Sequence, residues 1–511
     1  MSEQSSAVAL RPDAPSGKLM SGRLGVLGVV FFVVAAAAPL AAVTGTVPLA
    51  IAAGSGAGAP GAYVAVGIIL LVFSSGYGAM SRVVTNSGAF FAYVGRGLGL
   101  PAGVGAALIS VLAYIGIQLA IYGFFGSLLA SQMEAAFGLS APWWVWSLIA
   151  WLVVLALSVL SVDVGARVLG LLMVCELASL VLVAVSVIAH GGGPDGLDLR
   201  SSFAPGNVLV GGISGSAGIA LACAFTSYIG FEATAIYGEE SKDPARTVPR
   251  ATYLAIVVIT VIFAAASWAI VSGLGARNVV AQVSDLSSVD ASPLADPAAV
   301  LFHVATVFVG PWLTAVMSWL VVSSLFAGLL AFQNCAARYM FALGRAGVLP
   351  PVLRRTNRSG APSIASVATS VITVVMMLVF ALAGLDPVLN LFYWSAGVAV
   401  IAIVVVEILV CAAVVVHFRR PESVGRWWTT VLSPVVAALG LLAGLYLLIS
   451  RFGLLAGTVP EDVDPSTPWV LNPLGWTLVG LPFVFLIAGV VHGQRLDRNG
   501  RHRQALADVL T

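Results

Sequence analysis

Uninterrupted apolar runs of roughly 18 or more residues recur along the whole of this 511-residue chain, and almost nothing charged breaks them. Charged residues make up 9% of the sequence and apolar ones 59%, where a soluble domain carries about one quarter charged. Such a chain has too little polar surface to shield its apolar runs from water, so they belong in a bilayer. A membrane barrel would show segments of about ten residues with alternating polarity. These runs are continuous, and the expected fold is an all-α polytopic membrane protein. Twelve spans are counted, beginning near Gly25, Gly61, Leu98, Pro142, Gly165, Ile213, Pro249, Pro311, Pro362, Asn390, Trp427 and Gly475.

An even number of spans puts both termini on one side. With the N-terminus in the cytoplasm, only Arg200, Arg277 and Arg451 of the 24 Lys and Arg residues fall outside. Basic loops stay on the cytoplasmic side during insertion, so the expected location is the cytoplasmic membrane with both termini inside. Residues 1–22 and 495–511 read as cytoplasmic tails, and the first apolar stretch is too long for a cleaved leader. The net charge of +2 reflects helix-end charges and offers no patch for nucleic acid. Cys175, Cys223, Cys335 and Cys411 lie in or at the ends of spans and read as small packing residues, not a disulfide framework.

Two spans carry interruptions in corresponding places. In the first, Thr44, Gly45 and Thr46 stand between Pro39 and Pro48; in the sixth, the break is expected near residues 228–231, around Gly230. Proline removes a backbone donor and glycine weakens a helix. Freed backbone groups persist in a membrane only where they are buried in protein or line a wet cavity. Paired interruptions of this kind point to a transporter site between two inverted repeats. The repeats would be 23–190 and 213–412, joined by an external loop at 191–212 and followed by two extra helices in 413–494.

The stretch GFEATAIYGEESKDPARTVPRA, Gly230 to Ala251, resembles the sixth-helix signature and following loop of the amino acid, polyamine and organocation (APC) superfamily. TGTVPLAIA stands where such permeases carry a glycine-rich first-helix break, here as TGT in place of a GSG- or GAG-like pattern. TNSGAFFAYVGRGLG (Thr85–Gly99) and RYMFALGRAGVLPP (Arg338–Pro351) are similar to segments around their third and eighth helices. The resemblance implies a LeuT-like fold of five plus five inverted helices with two more, and secondary active transport of amino acids by alternating access.

A break near 44–46 would offer the N–H groups of Gly45, Thr46 and Val47, with the Thr44 hydroxyl, to a carboxylate at a helix N-terminus. Free carbonyls of Phe225, Thr226 and Tyr228, beside Gly230, would accept from an ammonium. Tyr114, Gln118, Ser323, Ser324, Gln333, Phe392, Tyr393 and Trp394 are candidates to line or gate the pocket. Glu232 sits at membrane depth, where an ionisable side chain is a functional-site hypothesis. Glu176 in the fifth span occupies a region where the family's proton-coupled members carry a lysine in place of a sodium ion, so a proton is the expected coupling ion and Glu176 or Glu232 its carrier or gate. Glu407 is read as structural. Cationic amines or polyamines are the alternative substrates, and exchange an alternative mode; a channel fits broken helices less well. No metal-ligand spacing, phosphate loop or nucleophile motif is present, so neither an enzyme nor a cofactor is expected.

Overall fold

The computed structural model describes residues 25–499 except 85–87, 161–162, 213–214, 291, 358–359, 422–424, 461 and 465–466, and not the side chains of 163–169, 239 and 499. The tail 1–22, the chain past Asn499, Thr85 of the third-helix motif and Ile213, where the sixth span was expected to begin, lie outside the described residues. Among those residues the chain is helical, with no strand beyond the isolated bridges Gly193–Gly196 and Val289–Ser292.

The chain opens with α1 (Val26–Ala37) and α2 (Pro39–Leu49) and passes through a wide helical turn, Ala50–Ser55, into α3 (Ala59–Met80). The short α4 (Ala89–Leu98) precedes α5 (Leu100–Phe137), α6 (Trp143–Leu160) and α7 (Asp163–Ala189). Two short turns, α8 (Leu199–Phe203) and α9 (Pro205–Val208), lead to α10 (Ala217–Tyr228), α11 (Ala233–Ile236) and α12 (Pro244–Leu274). Next come α13 (Val279–Leu286), α14 (Ala298–Phe308), α15 (Pro311–Arg345) and α16 (Ser363–Leu382). The chain closes with α17 (Tyr393–Phe418), α18 (Ser433–Ser450), the short α19 (Phe452–Leu455) and α20 (Pro473–Asn499).

Eleven helical stretches among the described residues are long and apolar enough to cross a membrane, against the twelve counted from hydropathy. The difference arises at the start, where Val26–Ala37 is short and Pro39–Met80 runs on for 42 residues. A straight helix of that length would reach about 63 Å, twice the ~30 Å of bilayer hydrocarbon. It is not straight: Gly54 (φ −104°, ψ −118°) leaves the helix, and Gly56 takes φ 56°, a conformation that only glycine adopts without strain. The innermost stretch is Ala217–Ile236, 94% buried over its apolar window, whereas α6 and α20 are 22% buried and turn most of their surface outward.

The first break is not at residues 44–46. It lies at Ala38, which takes left-handed dihedrals (φ 42°, ψ 66°) between α1 and α2. Pro39 cannot donate to Ala35 and disfavours helical dihedrals at the residue before it. The Ala38 N–H turns to Ala35 O instead (3.2 Å). Pro48 leaves α2 continuous, and the wide turn follows directly on Leu49. Thr44 and Thr46 also brace that helix, their hydroxyls donating to carbonyls of Leu40, Ala41 and Ala42 at 2.8–3.0 Å. The second break falls at Ile229–Glu232, where Gly230 takes φ 115° between α10 and α11.

Candidate functional site

The two breaks meet at a cavity of about 50 Å³ lined by Ala36, Ala37 and Ala38 from one and Ile229 from the other. Ala41, Ala42 and Thr46 of α2, Thr226 and Ser227 of α10, Ile117, Ile121 and Phe124 of α5, Leu325 and Phe332 of α15, and Phe392 complete its walls. These side chains are short alkyl groups, branched alkyl groups and rings, with three hydroxyls. Thr46 Oγ1 is fixed at the edge by Tyr63 Oη (3.0 Å) and Ser227 Oγ (2.9 Å), which ties α2, α3 and α10 together.

Each break exposes helix ends, whose first N–H and last C=O groups have no intrahelical partner. At the start of α2 the Leu40 N–H points to Glu176 Oε2 (3.4 Å). Before α11 the Gly230 N–H donates to Glu232 Oε2 (2.9 Å). A protein carboxyl thus holds a donor at both breaks. Among the described residues, no hydrogen-bond partner is found for the carbonyls of Ser227 and Ile229, whereas those of Thr226 and Tyr228 accept from Ile229 and Phe231 (3.1 and 3.2 Å). Ser227 and Ile229 therefore add free carbonyls at the second break, and those of Thr226 and Tyr228 keep one lone pair each.

The carboxyl groups have further company. Ser324 Oγ sits beside Glu176, and Tyr114 Oη beside Glu232, neither completing a hydrogen bond. Glu232 Oε1 and Glu407 Oε2 are buried without a partner, and the two carboxyls are close enough to interact through space. Tyr77 Oη donates to the Glu232 backbone carbonyl (2.7 Å), which fixes the start of α11.

Aromatic and ionic contacts join the elements around the two breaks. Phe124 and Phe392 stack at 5.0 Å with 24° between planes, and Phe392 leans on Tyr393. Behind them a space of about 20 Å³ is lined by Thr46, Cys223, Tyr393 and Leu455 among others. Beyond α11, Arg338 Nε bonds Glu240 Oε1 at 2.7 Å, both side chains 17% exposed. The Arg338 guanidinium lies 5.1 Å from the Tyr237 ring, and Phe32 of α1 stacks on that ring at 5.3 Å.

Residues 24–482 match the profile of a family described as amino acid permease. The chain belongs to the amino acid permease family. The permease is similar to an uncharacterized transporter of Legionella pneumophila, with 28% identity over 240 residues, 46% of this chain and 48% of the relative. It is 24% identical to the histidine permease HisP of Lactococcus lactis over 335 residues (63% and 65% of the two chains). It is also 24% identical to the branched-chain amino acid permease BcaP of the same organism over 331 residues (60% and 65%). In each case the match covers less than two thirds of the relative's own length. With its apolar helices, the permease is a multi-pass membrane protein.

Of the residues expected at the permease's site, Thr46, Thr226 and Phe392 line the cavity and Tyr393 lines the space behind it. Thr44, Gly45 and Val47 lie inside α2, whose ladder uses their N–H groups, so they are not free donors. Gly45 has a different task, letting Phe124 and Phe392 approach the helix. Tyr228 turns its hydroxyl away to Tyr63 O and Thr260 Oγ1 (2.9 and 2.7 Å), and the Phe225 ring packs on Gly444. Gln118 and Gln333 are not pocket residues. They bond each other (2.7 Å) and Thr373, Ser366 and Ser370, clamping α5, α15 and α16. Ser323 donates to Leu320 O within its own helix, and Trp394 Nε1 donates to Ala456 O. The alanines before Pro39, the Ile117–Phe124 face of α5 and the Arg338–Glu240 pair were missed. The proline after four alanines was the available signal for the first; the others depend on long-range packing.

Proposed function

We propose that this permease is a secondary active transporter of the cytoplasmic membrane that moves amino acids with apolar side chains by alternating access, coupled to protons. The observation that carries the reading is the pair of opposed helix breaks around a cavity walled by Ile117, Ile121, Phe124, Leu325, Phe332 and Phe392. Helix N-termini attract a carboxylate and helix C-termini an ammonium, while the apolar wall suits a branched or aromatic side chain. The relatives named for histidine and branched-chain amino acids support the same class. Dividing Pro39–Met80 at its glycines and joining α1 to α2 gives twelve spans, with the breaks in the first and sixth, as two inverted five-helix repeats plus two helices require. With the termini inside, the Arg338–Glu240 pair closes the cytoplasmic side and the phenylalanine stack the outer side.

A carboxylate accepts strongly from an N–H, and a protonated carboxyl accepts more weakly. Protonation of Glu176 or Glu232 would release a donor to the substrate's carboxylate, and deprotonation would reclaim it. That exchange links the proton to the ligand. At about 50 Å³ the cavity is well below the ~300 Å³ of ordinary ligand pockets, so entry requires one of the two closures to part.

One observation favours a second reading. With the Leu40 and Gly230 donors held by Glu176 and Glu232, the carbonyls that remain suit a cationic amine or polyamine. Uptake and counterflow in proteoliposomes, with a pH gradient and a panel of amino acids and their decarboxylated amines, tests both. Saturable, proton-driven uptake of branched or aromatic amino acids is expected. Equal competition by the decarboxylated amine would replace the amino acid reading with the amine one, and a sodium requirement would remove the proton.

A further inference from the structure

The permease has a cavity larger than the one between the breaks. A cleft of about 470 Å³ opens where α5, α16, α17 and α20 meet. Ile115, Met376, Phe380, Trp394, Leu481 and Phe485 form much of its wall, and no charged side chain faces it. Its rim is exposed, Met376 at 41% and Phe485 at 37%. The rim continues into the outward belt of α16 and α20, where Val375, Val379, Val484 and Ile487 are 52–63% exposed. That belt is the lipid-facing surface of two membrane-crossing helices, so the cleft is an inlet of the lipid interface into the protein.

We propose that the cleft is a binding site for one acyl chain of a membrane phospholipid. Size selects the occupant. An apolar cavity of about 150 Å³ takes one benzene, so 470 Å³ has room for roughly three times six carbons, the scale of a single acyl chain. A helix of a second copy, about 10–12 Å across, would use the whole volume in about one turn and would have to part α16 from α20. Water gains nothing there, since it needs two to four polar partners. A chain that moves to such a wall from surrounding lipid gains packing alone, so the site holds its chain by shape. The back wall is Trp394, pinned through Nε1 to Ala456 O (2.7 Å) and edge-on to Phe380 at 6.1 Å. Phe392 and Tyr393, two and one residues earlier, face the central cavities. A seated chain therefore backs the turn of helix that carries the stacked closure.

The test is quenching of Trp394 by phospholipids brominated in mid-chain. Wild-type permease and Trp394→Phe are reconstituted in brominated and unbrominated phosphatidylcholine vesicles, and the difference in emission isolates Trp394. Its contribution is expected to fall by at least half in brominated lipid. Ile115→Phe/Leu481→Phe, which fills the cleft, is expected to restore at least half of that loss. Ser395→Leu serves the same purpose if the double variant does not yield monodisperse protein. Trp394 emission indifferent to bromine, or quenched to the same extent in the filled variants, overturns the proposal. So does loss of quenching together with Met376→Cys crosslinks between copies, which would make the cleft a contact between protomers.

Discussion

Gly45→Ala tests whether the Phe124–Phe392 stack is a closure that opens. A Cβ at this position would stand 3.0 Å from Phe124 Cε1 and 3.0 Å from Phe392 Cζ. Carbon pairs rest at about 3.5–4.0 Å, so both rings must retreat by roughly half an ångström. Overpacking of that kind costs about 1–3 kcal/mol. The cost falls only on the arrangement in which the rings meet against α2. An arrangement with the rings parted is spared it, so the open-to-closed ratio should rise about 5- to 150-fold. The permease carries its own reporter: Cys223, 3% exposed, lines the space behind Phe392 and Tyr393. Its labelling by a membrane-impermeant thiol reagent, followed peptide by peptide in a mass spectrometer, should accelerate by that factor in Gly45→Ala. Cys335 and Cys411, buried elsewhere, should keep their rates. An unchanged Cys223 rate in a variant of normal thermal stability would mean that the stack is fixed packing.

Other expectations concern the opposite closure and the break. Glu240→Gln removes one side of an ion pair whose members are 17% exposed, a loss between the values for surface and buried pairs, about 1–3 kcal/mol. Labelling of Cys335, 4.0 Å from Tyr237 Oη, should rise about tenfold, and a constant rate would show that the pair does not hold that end shut. Glu176→Gln keeps an oxygen for the Leu40 N–H but cannot exchange a proton, so uptake should persist with a flattened pH profile. An unaltered profile would take Glu176 out of the coupling. Thr46→Val strips a hydroxyl that three groups share and leaves Tyr63 and Ser227 short of a partner. A loss of about 1–3 kcal/mol, read as a lower unfolding midpoint in detergent, is expected; an unchanged midpoint would mean that water or a neighbour replaces the bond.

The apolar runs were legible because bilayer burial is a one-dimensional requirement, met segment by segment. Gly230 was legible because its φ of 115° needs a residue without a Cβ, and the sequence supplies one beside an acid. Thr46 and Thr226, named for the breaks, and Phe392, named as a pocket candidate, line the cavity. Gln118 could not, since its partners Gln333 and Thr373 lie 215 and 255 residues away and no local pattern marks the clamp they form.

The first break shows what a local reading lacks. Pro39 and Pro48 each delete one donor from the same span, and the intervening Thr-Gly-Thr looks like the weaker stretch. What separates the two sites is the fate of the groups that proline frees. After Pro48 the chain widens into the turn Ala50–Ser55 and leaves the helix at Gly54, so the helix that Pro48 weakens is already ending. At Pro39 the span has far to go on both sides, and the Leu40 N–H would be stranded in an apolar interior. Glu176, 136 residues away, supplies the acceptor. An unsatisfied buried donor costs about 1–3 kcal/mol, and the left-handed Ala38 costs roughly 1–2 kcal/mol more. The break is therefore stable only while α7 presents that carboxyl. By this argument the acid in the fifth span and the break in the first are one feature, and a change of charge on Glu176 acts directly on the helix end that the substrate has to meet.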